Sequence, residues 1–332
     1  MNRSFVVGDL HLRKEEPFLS SAKSVLNRLV EETERGDKII FLGDFFHTAR
    51  PYPEEIKVAN DFFRDCRSDN ITLLAGNHGY LQNRNSFVED VFKDRDIRFI
   101  DYPREIHDID GDYLYLPWIS GYRLNNKSLK DFYAEWLENW TPRYPESDKP
   151  LYVLYHFEDE TVFAGVGEVG IDLSVIEAKA GNRKVVRLGG HIHNPSKNYV
   201  GTPYVTRKDE TGKISKILVK DSPKEDYKEV VLPNLIEYMD VDYDDLKSLE
   251  FEKDTSYILS VLGVPNISSL YEWANRYAGK VWIDDYTLKF GDERVIVNES
   301  KDHAESIRDF LKLFIKQNKV DSDTANYLLS VF

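Results

Sequence analysis

The chain has 332 residues, 41% of them apolar, and a formal net charge of −14. That length accommodates one large domain and a smaller one, and the apolar share excludes a disordered chain. A single cysteine, Cys66, excludes a disulfide framework and a cysteine-rich zinc site, so any bound metal would be held by oxygen and nitrogen. The acidic balance argues against a generally basic nucleic-acid coat; a nucleic-acid role would need bound metals, a local basic face or a basic partner. No stretch approaches about 18 apolar residues, and the chain enters the run Phe5-Val6-Val7 without a basic leader. The expectation is a soluble, cytoplasmic protein with no membrane association.

From residue 4 to about 220, short apolar runs alternate with helical patterns. Ser4 to Gly8, Lys38 to Gly43, Ile71 to Gly76, Tyr113 to Pro117, Leu151 to Tyr155 and Lys184 to Gly189 end near glycine, proline or a polar residue of metal-ligand type, as buried strands do. Between them Ala22, Val25, Leu26, Leu29 and Val30 share one helical face, and Ile56, Ala59, Phe63 and Cys66 share another. The pattern predicts an α/β fold in which a β-sandwich is flanked by helices, occupying residues 1–225. A polar stretch from Arg207 to Glu229 carries the last strand, Lys216 to Lys220, and then a linker. Tyr257 to Leu262, the helical face Leu270, Trp273, Ala274 and Tyr277, and Lys280 to Ile283 give a β-α-β unit, a small α+β cap domain over 230–295. Ala304, Ile307, Phe310, Leu311 and Phe314, then Ala325, Leu328, Leu329 and Phe332, mark a pair of amphipathic helices over 300–332. That pair suits packing on its own domain, and it also suits docking on a partner.

Function is concentrated in five polar blocks, each placed where a predicted strand ends. Asp9 and His11 stand two residues apart, so an extended segment projects both to one side. Asp44 follows Gly43 at a position from which a carboxylate can bridge two cations, with His47 three residues on. Asn77-His78 adds an amide oxygen and an imidazole, His156 follows its strand directly, and His191-Ile192-His193 supplies two imidazoles on one side. Carboxylate, amide and imidazole without thiolate suit manganese, magnesium, iron or zinc.

Together, Asp9-x-His11, Gly43-Asp44-x-x-His47, Gly76-Asn77-His78, His156 and Gly190-His191-x-His193 resemble the calcineurin-like metallophosphoesterases. Within that superfamily His47, three residues after Asp44, resembles the SbcD nucleases and their counterpart in the MRN complex. Leu116-Pro117-Trp118-Ile119 and Gly201-Thr202-Pro203-Tyr204 resemble two further segments of these nucleases, and the length is most similar to tailed-phage recombination endonuclease subunits. The resemblance implies two divalent ions, manganese first and magnesium second, one on Asp9, His11, Asp44 and His193 and the other on Asp44, Asn77, His156 and His191. It also implies that His78 contacts the scissile phosphate, with His47 orienting it. Two positions depart from the family pattern: Gly79 stands where Asp or Glu is usual after Asn-His, and Tyr155 where Gly is frequent. Neither removes a ligand, and both bear on the rate.

The function so implied is a two-metal DNA exo- and endonuclease subunit acting in recombination, repair and replication. Its partners would be DNA, a second copy of itself, and an SbcC-type ABC/SMC coiled-coil ATPase seated on the C-terminal helices; a phage-encoded chain would act in the host cytoplasm. The chain has no phosphate loop of its own. A stand-alone phosphoesterase for small diesters or phosphoproteins, and a non-catalytic scaffold, remain open on the same fold. Trp118, Trp136, Trp140, Tyr133 and Tyr144 read first as core, though they also suit base stacking. Arg207, Lys208, Lys213, Lys216, Lys220 and Lys224, interleaved with Asp209, Glu210 and Asp221, read as a solvated surface or a phosphate-tracking face. His107, read as part of a solvated turn, and His303, at a helix start, read as surface or capping residues.

Overall fold

The computed structural model describes residues 2–79, 97–121, 123–124, 127–162, 170–290 and 293–298. The expected helical pair over 300–332 and His303 lie outside the described residues. The chain divides into two compact units, Met1–Asn234 and Leu235–Phe332.

In chain order the first unit runs β1 (Ser4–Val7), α1 (Phe18–Glu32), β2 (Lys38–Phe41), α2 (Pro53–Asp65), β3 (Asn70–Leu74), β4 (Ile97–Ile100), β5 (Arg104–Asp108), β6 (Gly111–Leu116), α3 (Leu129–Asn139), β7 (Leu151–Tyr155), β8 (Glu158–Asp159), β9 (Gly170–Ile171), α4 (Ser174–Ala180), β10 (Val185–Gly189), β11 (Lys216–Lys220) and β12 (Lys228–Val231). One sheet has the order β12-β11-β1-β2-β3-β4 and a second the order β10-β7-β6-β5, with β8 and β9 forming a separate pair. The strands β1 to β4 are parallel, as are β6, β7 and β10. Sheets covered on both faces favour near-continuous apolar runs, and Ser-Phe-Val-Val, Lys-Ile-Ile-Phe and Leu-Tyr-Val-Leu-Tyr are buried throughout, polar only at Ser4 and Lys38 where β1 and β2 begin, apart from the tyrosine hydroxyls.

Alternation along each strand assigns the layers. Val6, Ile40, Leu74 and Leu218 of the first sheet pack on Tyr113, Tyr115, Tyr152, Leu154 and Leu188 of the second, forming the core between the sheets. The intervening residues of the second sheet, Leu114, Leu116, Leu151, Val153 and Tyr155, turn outward onto Leu129, Tyr133 and Leu137 of α3 and Ile176 of α4. On the outer face of the first sheet Phe41 meets Phe62 of α2 edge-on at 5.9 Å. The result is the expected sandwich, helix–sheet–sheet–helix. Ser128 caps α3 by accepting from the Asp131 amide at 3.0 Å, and Pro53 opens α2 where its missing N–H is not needed.

Three readings need correction. The linker expected between Lys220 and Glu229 gives way at Lys228 to β12, which pairs with β11 from Lys216↔Val231 to Val219↔Lys228. His107 lies in β5 rather than a turn, exposed, with Nδ1 2.5 Å from Asp112 Oδ1. The basic residues of that polar stretch do not form a uniform surface, because Lys213, Lys216 and Lys220 are buried in ion pairs with Glu210, Glu229 and Asp110. Tyr133 and Trp140 belong to the outer core, as the packing reading has it.

The second unit is one sheet in the order β13 (Ile236–Asp242), β14 (Ser256–Val264), β15 (Val281–Phe290) and β16 (Glu293–Asn298). The first three strands are parallel and the last is antiparallel. Between β14 and β15 lies α5 (Ile267–Asn275), capped by Asn266, whose Oδ1 accepts from the Ser268 amide at 2.8 Å. Leu270 and Trp273 of α5 pack on Leu259, Val261 and Val281. The β-α-β pattern is present as read; β13 and β16 add a strand on either side. The β13 run Ile-Glu-Tyr-Met-Asp-Val-Asp is broken by acids, which hid it from a search for apolar runs. No helix among the described residues is long and apolar enough to cross a membrane.

Candidate metal centre

The polar blocks all leave strands of the first unit at their carboxyl ends: Asp9 and His11 after β1, Asp44 after β2, Asn77 and His78 after β3, His156 after β7, His191 and His193 after β10. The backbone there is strained. His11 (φ 47°), Asp44 (φ 38°) and His191 (φ 76°) are the non-glycine residues with positive φ among the described residues, a conformation that costs an L-residue on the order of 1–3 kcal/mol. Local packing is equally tight. A Cβ on Gly43, itself at φ 118°, would stand 1.9 Å from His156 Nδ1, and one on Gly190 would stand 2.6 Å from Asp9 Oδ1. Two blocks thus carry glycine before the polar residue because a side chain there would occupy the site.

Hydrogen bonding within the site shows what it lacks. His156 Nδ1 lies 2.7 Å from the Leu42 carbonyl oxygen. A carbonyl can only accept, so Nδ1 holds the proton and neutral His156 turns a lone pair out at Nε2. That lone pair meets two more acceptors, Asn77 Oδ1 at 2.9 Å and Asp44 Oδ2 at 3.1 Å. His193 repeats the arrangement: Nδ1 donates to Glu210 Oε1 at 2.5 Å, and Nε2 faces His11 Nε2 at 2.9 Å. Asp9 Oδ2 accepts from the His191 amide at 2.7 Å, but Oδ1, buried, has no hydrogen-bond partner among the described residues. His156 Nδ1 stands 3.3 Å from it with its proton directed to Leu42. Electron pairs converge with too few protons to separate them, the condition a cation relieves.

The dimensions also fit. Two nitrogens at about 2.1 Å from one ion and at right angles to each other lie about 3 Å apart, close to the His11–His193 spacing. Asp9, His11 and His193 each place a donor atom within 4.8 Å of the others. Asp44 Oδ2 stands 3.9 Å from His11 Nε2 and 3.1 Å from His156 Nε2, so one carboxylate adjoins both groups. His191 Nδ1 is 3.2 Å from Asn77 Oδ1. All seven sequence-derived ligand candidates are therefore brought together, and the donor set suits a divalent ion.

Electrostatics keep the His11 and His191 rings neutral. Burial lowers His11 to about 3 against the pull of Asp44 and Asp9, and lowers His191 to about 4. His156 is the exception: burial opposes its charge, but Asp44 and Asp9 outweigh burial and hold it well above the usual imidazole range.

His78 is fixed by the main chain. Its amide donates to Asp44 Oδ1 at 2.9 Å and its Nδ1 to the His47 carbonyl oxygen at 2.7 Å, which leaves Nε2 as the ring nitrogen not committed to that carbonyl. The His47 ring stacks on His78 at 5.3 Å and 28°, and its Nδ1 is 3.3 Å from His11 Nδ1. The link from His47 to His78 is thus partly one that any residue at 47 would supply. These histidines, with Arg13, Thr206 and Arg207, line a cleft of about 290 Å³. Arg13 is held there by stacking on Phe18 at 3.3 Å and by donating to the Thr206 carbonyl oxygen at 2.9 Å. Trp118 packs its ring 5.7 Å from that of His191.

Sequence reasoning missed two groups. Arg13 lay outside every block, and Glu210 looked like one more charge in a solvated run; neither carries a local signal, since both act only through chain segments folded onto the site. Gly79 ends the short turn Asn77–Gly79.

The profile of the calcineurin-like phosphoesterases matches residues 3–195, more than half of the chain. No curated protein matches it. Among solved structures it is similar to a protein of unknown function, AQ665, from Aquifex aeolicus, at 14% identity and a TM-score of 0.27, over 56% of this chain and 89% of that one. A match that spans strands β1 to β10 and every polar block up to His193, on a site whose donors suit divalent cations, places the chain in the calcineurin-like phosphoesterase family, metal-dependent hydrolases of phosphoester bonds.

Proposed function

We propose that the protein is a manganese-dependent DNA nuclease subunit that cleaves phosphodiesters as exo- and endonuclease. The observation that carries this reading is the group His11, His47 and His78, whose ring nitrogens converge beside Asp44. A histidine three residues after the bridging carboxylate is the feature by which the sequence resembles the SbcD nucleases, and it packs against both neighbours. In this reading Asp9, His11, Asp44 and His193 hold one cation, and Asp44, Asn77, His156 and His191 the other. Bound there, divalent cations neutralise the phosphate and make water a better nucleophile at neutral pH. His78, with Nδ1 tied to the His47 carbonyl, presents Nε2 to the phosphate; in its imidazolium form, with a proton on both ring nitrogens, it stabilises the charge there or gives the Nε2 proton to the leaving oxygen. Arg13 adds fixed positive charge beside the phosphate.

The net charge of −14 is in keeping with a subunit whose DNA affinity comes from its metals and a partner. That partner is an SbcC-type coiled-coil ATPase seated on residues 300–332 of a homodimer in the cytoplasm, or in the host cytoplasm if the chain is phage-encoded. Purified protein with Mn2+ is assayed on linear duplex DNA and on bis-p-nitrophenyl phosphate, with and without the ATPase. DNA cleavage that falls about 10²–10⁴-fold in His78→Ala supports the reading. Turnover of the small diester with no DNA cleavage, even with the ATPase present, would replace it with a stand-alone phosphoesterase. An ATPase that still co-purifies after deletion of 300–332 would refute the docking segment.

A further inference from the structure

The site histidines differ in what holds their Nδ1. For His156 and His78 the holder is a main-chain oxygen, of Leu42 and His47, which no substitution removes. For His193 it is a side chain, Glu210, from the stretch that sequence patterning assigned to the surface. Glu210 is 1% exposed. Beyond His193, its carboxylate accepts from the Thr206 amide at 2.7 Å, the Thr206 hydroxyl at 2.8 Å, Lys213 Nζ at 2.7 Å and Arg207 Nε at 3.2 Å. Donors on several sides leave the carboxylate one place to sit, and the Lys213 ammonium balances its charge.

The consequence for His193 follows from donor and acceptor chemistry. A carboxylate only accepts, so the His193 proton must lie on Nδ1 and the lone pair on Nε2, facing His11. The other neighbour of Nδ1 is the Thr206 hydroxyl at 3.1 Å, which can donate or accept and so cannot select a tautomer. We infer that Glu210 is a positioning residue that fixes the tautomer and ring plane of His193, and so sets the affinity of the cation position shared with Asp9 and His11. This rests on the two-cation reading above. The chain lacks a carboxylate at Gly79, and Glu210 supplies one behind a different imidazole.

The test is calorimetric titration of the chelator-treated full chain with MnCl2. Wild-type protein takes up two ions; in Glu210→Gln one of the two binds about 10–100-fold more weakly and the other changes less than about threefold. Because the effect runs through His193, Glu210→Gln adds nothing in a His193→Ala background. Should Glu210→Gln unfold around an unbalanced Lys213, the double variant Glu210→Gln/Lys213→Met removes both charges and is expected to show the same selective loss. Wild-type affinity at both positions in Glu210→Gln, equal weakening of both, additivity with His193→Ala, or failure of the double variant to fold would each overturn the inference while leaving the two-cation reading in place. Uptake of no Mn2+ by the wild-type protein would instead overturn the reading on which the inference rests.

Discussion

The same strands, β1 and β2, carry a buried polar cluster at each end, and the two clusters are built on opposite rules. At the amino-terminal end Lys38, on β2, pairs with Asp110 at 2.8 Å and Asp108 at 2.7 Å. Lys220, which β11 brings opposite Ser4, pairs with Asp110 at 2.5 Å, and Tyr113 and Ser4 donate their hydroxyls to the same carboxylate. Charges balance there and every acceptor has a donor. At the carboxyl end Asp9 Oδ1 is left over, two imidazole nitrogens face each other at 2.9 Å, and three residues sit in left-handed backbone. A cluster that closes on itself is structural. One that leaves acceptors facing acceptors has an ion as its missing member, and the strain there is stability given up for binding.

On that contrast, substitutions at the two ends separate stability from chemistry. The largest stability effect belongs to Asp110→Ala, which takes the carboxylate from the buried Lys220 ammonium and leaves Lys38 with Asp108 alone; urea unfolding should show a loss of about 3–5 kcal/mol, with Mn2+ binding unchanged. Asp44→Asn inverts this: hydrolysis falls more than about 100-fold, beyond what outer partners of a metal cost. The Mn2+-dependent rise in stability, about 2.7 kcal/mol at a hundred times Kd for wild type, disappears. Comparable unfolding in Asp110→Ala and Asp44→Asn without metal would erase the distinction.

Acid provides a subtler comparison. Burial alone would raise the Asp110 carboxyl, but Lys38 and Lys220 outweigh it and bring it down to about 2, below its ordinary value of 3.8. Because the folded value is the lower one, this stabilisation is fully present above about pH 4 and is lost as pH falls toward 2. The urea midpoint of wild-type protein should therefore fall more steeply across that window than that of Asp110→Asn; parallel curves would mean the pair contributes nothing. The smallest effect is expected from Tyr113→Phe, which removes one donor to Asp110 and should cost about 1 kcal/mol in urea unfolding without altering metal uptake.

Much of the site was legible because the fold obeys a local rule. Buried parallel strands are continuous apolar runs, and residues placed just after them lie at the carboxyl edge of a sheet. Asp9, Asp44, Asn77, His156 and His191 were found on that basis alone. Strand β13, interrupted by Glu237, Asp240 and Asp242, and β12, which begins inside the expected linker, were not found, since half-exposed strands lack that signature. Glu210 was unreadable for a different cause: a charge among charges has no local mark of burial, and only the return of residues 206–213 onto His193 gives it one.

By itself, then, the sequence determined the layered α/β order, the oxygen-and-nitrogen donor set and the residues carrying it, because strand burial and ligand chemistry are written in residue type and spacing. Tertiary structure alone decided which nitrogen of His78, His156 and His193 is tied to an acceptor, which lysines are buried partners rather than surface, and that Asp9 keeps an unmatched oxygen. Those are properties of distances between segments far apart in the chain, as between Asp9 and His191 or Lys38 and Asp110, and no local pattern encodes them.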